Sequence, residues 1–274
     1  MDNTVLCVRW GDKYDDTYVK KLKEQLDRHL TVPFNFYCLT DNPKEEYDIQ
    51  LPTLWDEHYR ADKNMFWAYR KCYMFNTDKH FPQIKGSKFL YFDLDILIHN
   101  NIDCMFELDM YRPYIVRGWW NDITNCRKNF GVVKSTPLNS SCIRWNRGQL
   151  DIIEKHIHKN REVVFFSYKT IDNYFNHFWY NIWEEDVEYH ERYHVKKQIG
   201  YGLNQSEKFM EHYAPNLLQG FPKGWIYSWY KGNIFPDDME TKKLRKDLKI
   251  CLFNNSYKSD DDEMPDIEEI KKLW

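Results

Sequence analysis

Apolar and polar residues follow two different patterns along the N-terminal part of the chain, short apolar runs and a helical spacing. A short apolar run at 5–8 predicts a strand, and a second run at 34–39, closed by a Thr-Asp-Asn-Pro turn, predicts another. Between them, apolar side chains recur three or four residues apart, at Val19, Leu22, Leu26 and Leu30. This spacing predicts an amphipathic helix. Strand, helix and strand together predict a parallel βαβ unit with a right-handed crossover.

The rest of the chain continues this alternation of strands and helices. Apolar runs predict strands over 88–92, 96–98, 114–116, 131–133 and 249–253, with a strand or turn at 142–145. Helices are predicted over 65–75, where aromatic residues are frequent, and over 150–158 and 170–179. Strands alternating with helices indicate an α/β fold, and a length of 274 residues favours a single domain.

Charge and composition exclude several classes of protein. Lys+Arg number 39 and Asp+Glu 42, so the net charge is −3. A general nucleic-acid-binding protein would be expected to carry excess positive charge instead. No apolar run approaches the ~18 residues that cross a bilayer, and no signal-peptide pattern opens the sequence, so we expect a cytoplasmic protein without a transmembrane segment. Seven cysteines without a Cys-x-x-Cys pair predict reduced, packing thiols. The acidic run at 260–263 predicts a solvated C-terminal tail over 259–274.

The strongest chemical signal is the motif Asp93-Leu94-Asp95, which ends the apolar strand at 88–92. Side chains alternate along a strand, so both carboxylates project to one side while Leu94 turns away. Two carboxylates on one face repel each other unless a cation joins them, and Mg²⁺ or Mn²⁺ takes such oxygen ligands. Ligands also bind beyond the carboxyl ends of strands in open α/β sheets. An isolated Asp-x-Asp is more often a simple turn, so the surrounding sequence decides the interpretation.

The stretch 89–106 resembles the DxD region of GT-A fold glycosyltransferases, of the glycogenin-like and bacterial polysaccharide type. An apolar strand, Asp-x-Asp, a second apolar run and an Ile-Asp-x-x-Phe segment occur in the same order in that family. Other segments similar to its motifs lie at 8–14, 36–41, 67–75, 139–141 and 172–173. The resemblance implies a GT-A fold, a Rossmann-like mixed sheet flanked by helices, as a single domain over 1–258. Within it, 1–106 is the expected nucleotide-binding half and 107–258 the acceptor half.

The resemblance assigns roles on the nucleotide side of the site. Val8, Trp10 and Tyr14 match the opening strand and nucleotide-binding turn. Tyr14 is expected to stack on the base, with packing against the first helix as an equal alternative. Lys71 matches the basic helix before the DxD strand and is expected to reach a diphosphate or the sugar, with a solvated lysine as the alternative. Asp93 and Asp95 are the expected ligands of Mn²⁺ or Mg²⁺, and Asp93 also belongs to the donor-binding set.

On the acceptor side, the resemblance assigns Asn139, Asp172 and Asn173 to the sugar-binding and catalytic set. Amides and carboxylates suit this role because they hydrogen-bond hydroxyl groups. Asn139 is expected in an Asn-Ser-Ser turn, and Asp172 has an alternative role in the first turn of a helix. Asn173 stands where the family usually has Gln.

The sequence departs from the family near its C-terminus. Members usually carry Phe-His-Gly-x-Pro-Lys there, in which the His is a third metal ligand and the Lys meets the diphosphate. The corresponding run is Leu-Phe-Asn-Asn-Ser-Tyr-Lys, so Asn254 takes the His position and Lys258 keeps the Lys spacing. An amide oxygen is an acceptable ligand for either ion. Asn254 is therefore expected as the third ligand of a weaker site.

The resemblance predicts a metal-dependent hexosyltransferase of polysaccharide biosynthesis that uses a nucleotide-sugar donor, a UDP-sugar, and a glycan acceptor. Retention of configuration is favoured, since no further carboxylate stands out as a base. A nucleotidyltransferase is one alternative, but it would need a glycine-rich loop after the first strand, where only Gly11 is found. A catalytically silent relative is another, and it would bind nucleotides, or glycans through the aromatic clusters at 119–120 and 225–230.

Overall fold

A computed structural model describes residues 2–56, 64–108, 111–121, 136–168, 170–180, 217–253 and 267–274. Within these residues, seven strands form the central sheet. The strands in chain order are β1 (Asn3–Arg9), β2 (Phe34–Thr40), β3 (Asp48–Gln50), β4 (Lys88–Phe92), β5 (Ile96–Ile98), β6 (Tyr114–Arg117), β7 (Leu138–Asn146), β8 (Gln219–Gly220), β9 (Ile226–Ser228) and β10 (Ile250–Leu252). The central sheet has the order β3-β2-β1-β4-β7-β6-β8, and β5, β10 and β9 form a smaller sheet.

Helices cover both faces of the central sheet. They are α1 (Asp16–His29), α2 (Thr77–His80), α3 (Cys104–Glu107), α4 (Asp151–Ser167), α5 (Ile171–Phe178) and α6 (Glu268–Leu273), with a 3-10 helix over Asn64–Asn76. Along β4, Phe89 and Tyr91 pack on one face with α4, α5 and the 3-10 helix. Leu90 and Phe92 pack on the other face with α1 and α3. This arrangement confirms the predicted α/β class.

Strand directions bring several strand ends to one edge of the sheet. β1 pairs in parallel with β2 and β4, whereas β7 runs antiparallel to both β4 and β6. The carboxyl ends of β1, β2, β4 and β6 therefore lie along the same edge as the beginning of β7. We call this edge the carboxyl edge.

The amphipathic helix predicted from apolar spacing is α1. Asp15 caps it by accepting a hydrogen bond from the Thr17 backbone N–H at 2.9 Å. Its predicted apolar positions, Val19, Leu22 and Leu26, are buried, as is Leu30 beyond its end. Gln25 lies among them, and its side-chain oxygen accepts a hydrogen bond from the Ile98 N–H at 2.7 Å. This bond ties α1 to β5, the strand that follows the Asp-x-Asp motif.

The aromatic segment predicted as a helix over 65–75 is a 3-10 helix. With three residues per turn, side chains three positions apart form a row in such a helix. Tyr69, Cys72 and Phe75 form such a row, and each is at most 1% exposed. Tyr73 and Met74 between them are buried as well, so the helix packs on more than one side.

The helix α4 is longer than predicted. Polar residues from His158 interrupt the apolar spacing, yet the helix continues to Ser167 through a kink at Asn160, where φ is −118°. Val164 and Phe165 beyond the kink are buried. Tertiary packing thus extends the helix past its polar interruption.

The segment Asn139–Ser141 lies in strand β7, so the predicted turn at this motif is wrong. β7 pairs regularly with β4, but its register with β6 shifts between Ile115 and Val116. The Asn139 side-chain oxygen accepts a hydrogen bond from the Ser141 N–H at 2.9 Å, a local bond that Asn also makes in turns. This hydrogen bond therefore occurs inside a strand, at the point where Asn139 pairs with Val116 of β6.

The small sheet packs against the last residues of the sequence. Leu97, Tyr227 and Cys251 share a cluster with Ile270 of α6, which is fully buried. The prediction of a solvated tail is therefore wrong for 267–274, because the apolar side of α6 packs on this sheet. The acidic run at 260–263 and the predicted strand at 131–133 lie outside the described residues.

Two further expectations concern membranes and thiols. None of the helices that the structure describes is long and apolar enough to span a membrane. The described cysteines are free, and all except Cys104 are buried, as expected for packing thiols. Cys126 lies outside the described residues.

Candidate active site at the carboxyl edge

The carboxyl end of β4 presents Asp93, whose carboxylate is held by two side chains. Lys71 of the 3-10 helix places its Nζ 2.8 Å from Oδ1 and 3.1 Å from Oδ2 of Asp93. The Tyr91 hydroxyl also donates a hydrogen bond to Oδ1. The backbone N–H of Asp93 donates to the Ser141 carbonyl at 2.8 Å. Asp93 is thus fixed by β4, β7 and the 3-10 helix together.

Asp95 lies beside Asp93 in a different environment. Burial and the negative charge of Asp93 raise the pKa of Asp95 to about 6, while the charge of Lys13 and a hydrogen bond with Tyr14 act in the opposite direction. Leu94 between the two is 2% exposed and packs in the core. The carboxylates therefore turn away from Leu94, as strand alternation predicts, and together carry charge that a cation would relieve.

Asp172, in the first turn of α5, joins this group through β7. Its Oδ1 accepts a hydrogen bond from the Ser140 N–H at 3.0 Å, and the Ser140 Oγ lies 3.1 Å from Lys71 Nζ. Burial raises the pKa of Asp172, the charge of Lys71 lowers it, and the charge of Asp93 raises it further. We call Lys71, Asp93, Asp95 and Asp172 the carboxylate cluster.

The two amide residues predicted on the acceptor side flank these contacts. Asn139 is half-buried and directly precedes Ser140. Asn173 is also half-buried, and its backbone N–H donates to the Thr170 Oγ1 at 3.3 Å as part of the N-terminal cap of α5. The structure therefore brings Asn139 and Asn173 to the side of the cluster that Asp172 occupies.

A pocket of about 260 Å³ opens at the ends of β1 and β2. It is lined by Arg9, Gly11, Asp12, Tyr14, Asp15, Asp16, Asp41, Asn42 and Lys44. The Arg9 NH1 lies 2.6 Å from Asp16 Oδ1, and the Lys44 Nζ lies 2.9 Å from Asp16 Oδ2. Because Tyr14 both lines this pocket and contacts Asp95, the pocket adjoins the carboxylate cluster.

Val8 and Trp10 lie at the end of β1, next to this pocket along the chain. Both are half-buried and pack against the core on the side of the 3-10 helix. The guanidinium carbon of Arg70 lies 3.4 Å from the centre of the Trp10 ring. One face of that ring is therefore covered by a cation, and nucleotide binding by Val8 and Trp10 stays a prediction.

The donor set at the carboxyl edge fits a hard divalent cation. Asp93 and Asp95 supply carboxylate oxygens, and burial together with the charge of Asp93 raises the pKa of Asp95. Among the described residues, no three His, Cys, Asp or Glu side chains form a metal-ligand cluster. Asn254 and Lys258 lie outside those residues. The chain leads towards them from β10, where Leu252 pairs with Ile96, the residue after Asp95.

Of the six aromatic residues that the sequence offered as sugar-stacking surfaces, three are buried and three are half-buried. Three are at most 4% exposed, namely Trp120, Tyr227 and Trp229. Trp119 is half-buried, and the cationic groups of Arg117 and Lys223 lie 4.6 and 4.9 Å from the centre of its ring. These contacts favour packing as their role, which weakens the alternative of a glycan-binding protein that uses aromatic grooves.

Two partners in the site were missed by reasoning from the sequence. Tyr91 lies two residues before Asp93, so strand alternation places both on one side, and this signal could have found it. Ser140 belongs to a motif that the sequence presents as a turn. Its contact with Lys71 depends on how β7 meets the 3-10 helix, for which the sequence carries no local signal.

Comparison with solved structures places this arrangement in a known fold. A glycosyltransferase involved in the glycosylation of the major capsid of PBCV-1 is 13% identical, with 99% of each chain covered and a TM-score of 0.48. GlyE of Streptococcus pneumoniae TIGR4 is 13% identical over 83% of this chain and 47% of its own, with a TM-score of 0.40. An active-site mutant of LgtC is 10% identical over 98% of this chain and 94% of its own, with a TM-score of 0.51. No family model and no curated protein matches the chain.

The fold assignment rests on LgtC, because that comparison covers nearly the full length of both chains at a TM-score of 0.51. The chain has the GT-A-type fold of glycosyltransferases, as the sequence predicted. At 10% identity the comparison establishes the fold alone, so the activity is inferred from the site.

Tyr14 provides the first test of the pocket. If its ring stacks on a nucleotide base, Tyr14→Ala should weaken UDP binding roughly tenfold to a hundredfold, since a base stack contributes about 1–3 kcal/mol. Tyr14→Phe keeps the ring but removes the hydrogen bond to Asp95. It should leave UDP binding without metal within about twofold and weaken metal-dependent binding several-fold. Calorimetry of both variants with and without Mn²⁺ checks this, and equal losses in Ala and Phe would exclude stacking.

Proposed function

We propose that the protein is a metal-dependent glycosyltransferase that moves a hexose from a nucleoside diphosphate sugar, a UDP-sugar, to a carbohydrate acceptor. The observation that carries the proposal is the carboxylate cluster at the carboxyl edge, next to a pocket of about 260 Å³ in a glycosyltransferase fold. Binding at this edge follows the general rule for open α/β sheets. The free thiols of the described cysteines support a reducing compartment, the cytoplasm.

The donor nucleotide would occupy the pocket at the ends of β1 and β2. Tyr14 would stack on the base. Arg9 and Lys44 are both paired with Asp16, so the charge for the diphosphate would come from the metal ion and the lysines of the site. Val8 and Trp10 would support the turn beneath the base. This places the sugar over the carboxylate cluster.

Asp93 and Asp95 would hold Mn²⁺ or Mg²⁺, with Asn254 as a third oxygen ligand. When bound, the ion supplies Lewis-acid stabilisation to the departing diphosphate. Tyr91 and the Ser141 carbonyl fix the orientation of Asp93, and Tyr14 fixes that of Asp95. Lys71 and Lys258 would add fixed positive charge near the diphosphate.

The acceptor side would be formed by Asn139, Asp172 and Asn173. Their amide and carboxylate oxygens would hydrogen-bond sugar hydroxyls and hold the acceptor oxygen near the anomeric carbon. During transfer, the bond from that carbon to the diphosphate would break, a bond to the acceptor oxygen would form, and the proton of the acceptor hydroxyl would pass to an oxygen of the departing diphosphate. We favour retention, because the described residues of the cluster are already engaged with Lys71, Tyr14 or Ser140 and none stands apart as a base.

Calorimetric titration of the protein with UDP, with and without Mn²⁺, tests the proposal. We expect UDP to bind and Mn²⁺ to tighten binding markedly, because Asp93 and Asp95 would hold the ion and the ion would supply positive charge for the diphosphate. UTP in place of UDP serves as the comparison for a nucleotidyltransferase. Preference for the triphosphate, or no effect of Mn²⁺, would contradict the proposal.

A further inference from the structure

Lys71 directs its ammonium group entirely at acceptors inside the site. Its Nζ lies 2.8 and 3.1 Å from the two Asp93 oxygens, 3.1 Å from the Ser140 Oγ and 3.4 Å from the Ser140 carbonyl. The Tyr91 ring lies 5.3 Å away on one side. The side chains of Lys71 and Asp93 are only 11% and 22% exposed. An ammonium group has three donors, and these contacts use all of them.

This contact affects how any divalent ion reaches Asp93. Lys71 contacts both oxygens of the carboxylate that would be a metal ligand, and Oδ1 also accepts from Tyr91. A divalent ion that binds here must displace the ammonium group or lie close to it. Two cations sharing one poorly solvated carboxylate repel each other strongly. The ion therefore binds against a positive charge that belongs to the protein itself.

We propose that Lys71 is a built-in counter-cation that keeps free divalent ions off Asp93 and yields to the ion only together with a nucleoside diphosphate. The inference rests on the proposed function for the identity of the ligand, and it adds a role for Lys71 as the residue that sets the binding order. The diphosphate supplies the negative charge that lets both cations stay in the site. Lys71 would then turn from Asp93 to a phosphate oxygen, and the Asp93 carboxylate would be available to hold the ion.

Ser140 supports this change of partner. Its Oγ and carbonyl lie 3.1 and 3.4 Å from Lys71 Nζ, and these contacts do not involve Asp93. Asp172, whose Oδ1 accepts from the Ser140 N–H, adds a second negative charge on the same side. The ammonium group therefore keeps electrostatic support as it moves from one anion to the other.

The decisive experiment measures Mn²⁺ binding without nucleotide for the wild type, Lys71→Met and Lys88→Met. Lys88 is the matched control, because it begins β4 and so lies at the opposite end of the strand that leads to Asp93. We expect Lys71→Met to bind free Mn²⁺ at least roughly tenfold more tightly, because a competing charge is removed. Lys88→Met should match the wild type. With saturating UDP, the advantage of Lys71→Met should vanish or reverse.

Lys71→Gln is a second variant in case Lys71→Met does not fold, since its amide keeps a hydrogen bond to Asp93 without the charge. It should increase the affinity for free Mn²⁺ by the same factor. Unchanged or weaker free Mn²⁺ binding in both variants, including no detectable binding, would overturn the inference. A gain in free Mn²⁺ binding without UDP binding by the wild type would instead support the role of Lys71 and contradict the proposed function.

Discussion

Asp95→Asn should abolish the metal-dependent part of UDP binding while the protein stays folded. Asp95 is a candidate ligand whose carboxylate is destabilised by burial and by the neighbouring charge of Asp93, which raises its pKa to about 6. Replacing it by an amide removes a charged ligand and relieves this repulsion. We expect at least roughly a hundredfold loss of Mn²⁺-dependent affinity, beyond the loss typical of residues that only support a metal ligand. Calorimetry with UDP and Mn²⁺ measures it.

Asp27→Asn is the matched control for this experiment. Asp27 is an exposed partner of Lys23 on α1, so the substitution removes one carboxylate away from the site. It should bind as the wild type does. Asp93→Asn is less suitable, since it leaves Lys71 buried without its carboxylate and destabilises the fold. If Asp95→Asn bound UDP and Mn²⁺ with the affinity of the wild type, Asp95 would not be a metal ligand.

Glu154→Gln should destabilise the fold by about 3 kcal/mol at pH 7. Burial opposes ionisation of Glu154, but hydrogen bonds from His80, Asn76 and Lys79 outweigh it and lower its pKa to about 2. The stability that this shift provides is fully present above the unfolded-state pKa, near 4.5, and is lost as the pH falls towards 2. Wild type and variant should therefore converge on acidification. Urea unfolding across this pH range measures both effects.

Glu162→Gln is the control for Glu154, because Glu162 lies on the same helix and is exposed. It should unfold with nearly the free energy of the wild type at every pH. If Glu154→Gln shows the same stability and the same pH dependence as this control, the buried network of Glu154 contributes nothing to folding.

The parts of the site that follow from local periodicity were predicted from the sequence. Alternation along β4 fixes Leu94 in the core and sets Asp93 and Asp95 at the end of a buried strand. Apolar spacing likewise predicts α1 correctly. Such features depend on neighbours in the sequence, which a single chain displays directly.

Features that depend on distant partners could not be predicted in this way. The contact of Lys71 with Asp93, which comes from a different element, was not predicted, and the expected contact with a diphosphate or the sugar stays a prediction. Asn139 makes a hydrogen bond typical of turns but lies in a strand, where it pairs with Val116 of β6. In α4, packing of Val164 and Phe165 outweighs the polar interruption. Each of these outcomes is decided by tertiary contacts.

The most direct test of the account is donor cleavage across a panel of nucleotide sugars with Mn²⁺, with every product identified. We predict that at least one UDP-hexose is cleaved to UDP and free hexose, and that Asp95→Asn loses this activity. Release of the sugar first in the anomeric form of the donor would support retention. Cleavage of no donor by a protein that binds UDP would contradict the account in favour of a silent relative. Release of pyrophosphate from a nucleoside triphosphate and a sugar phosphate would identify a nucleotidyltransferase instead.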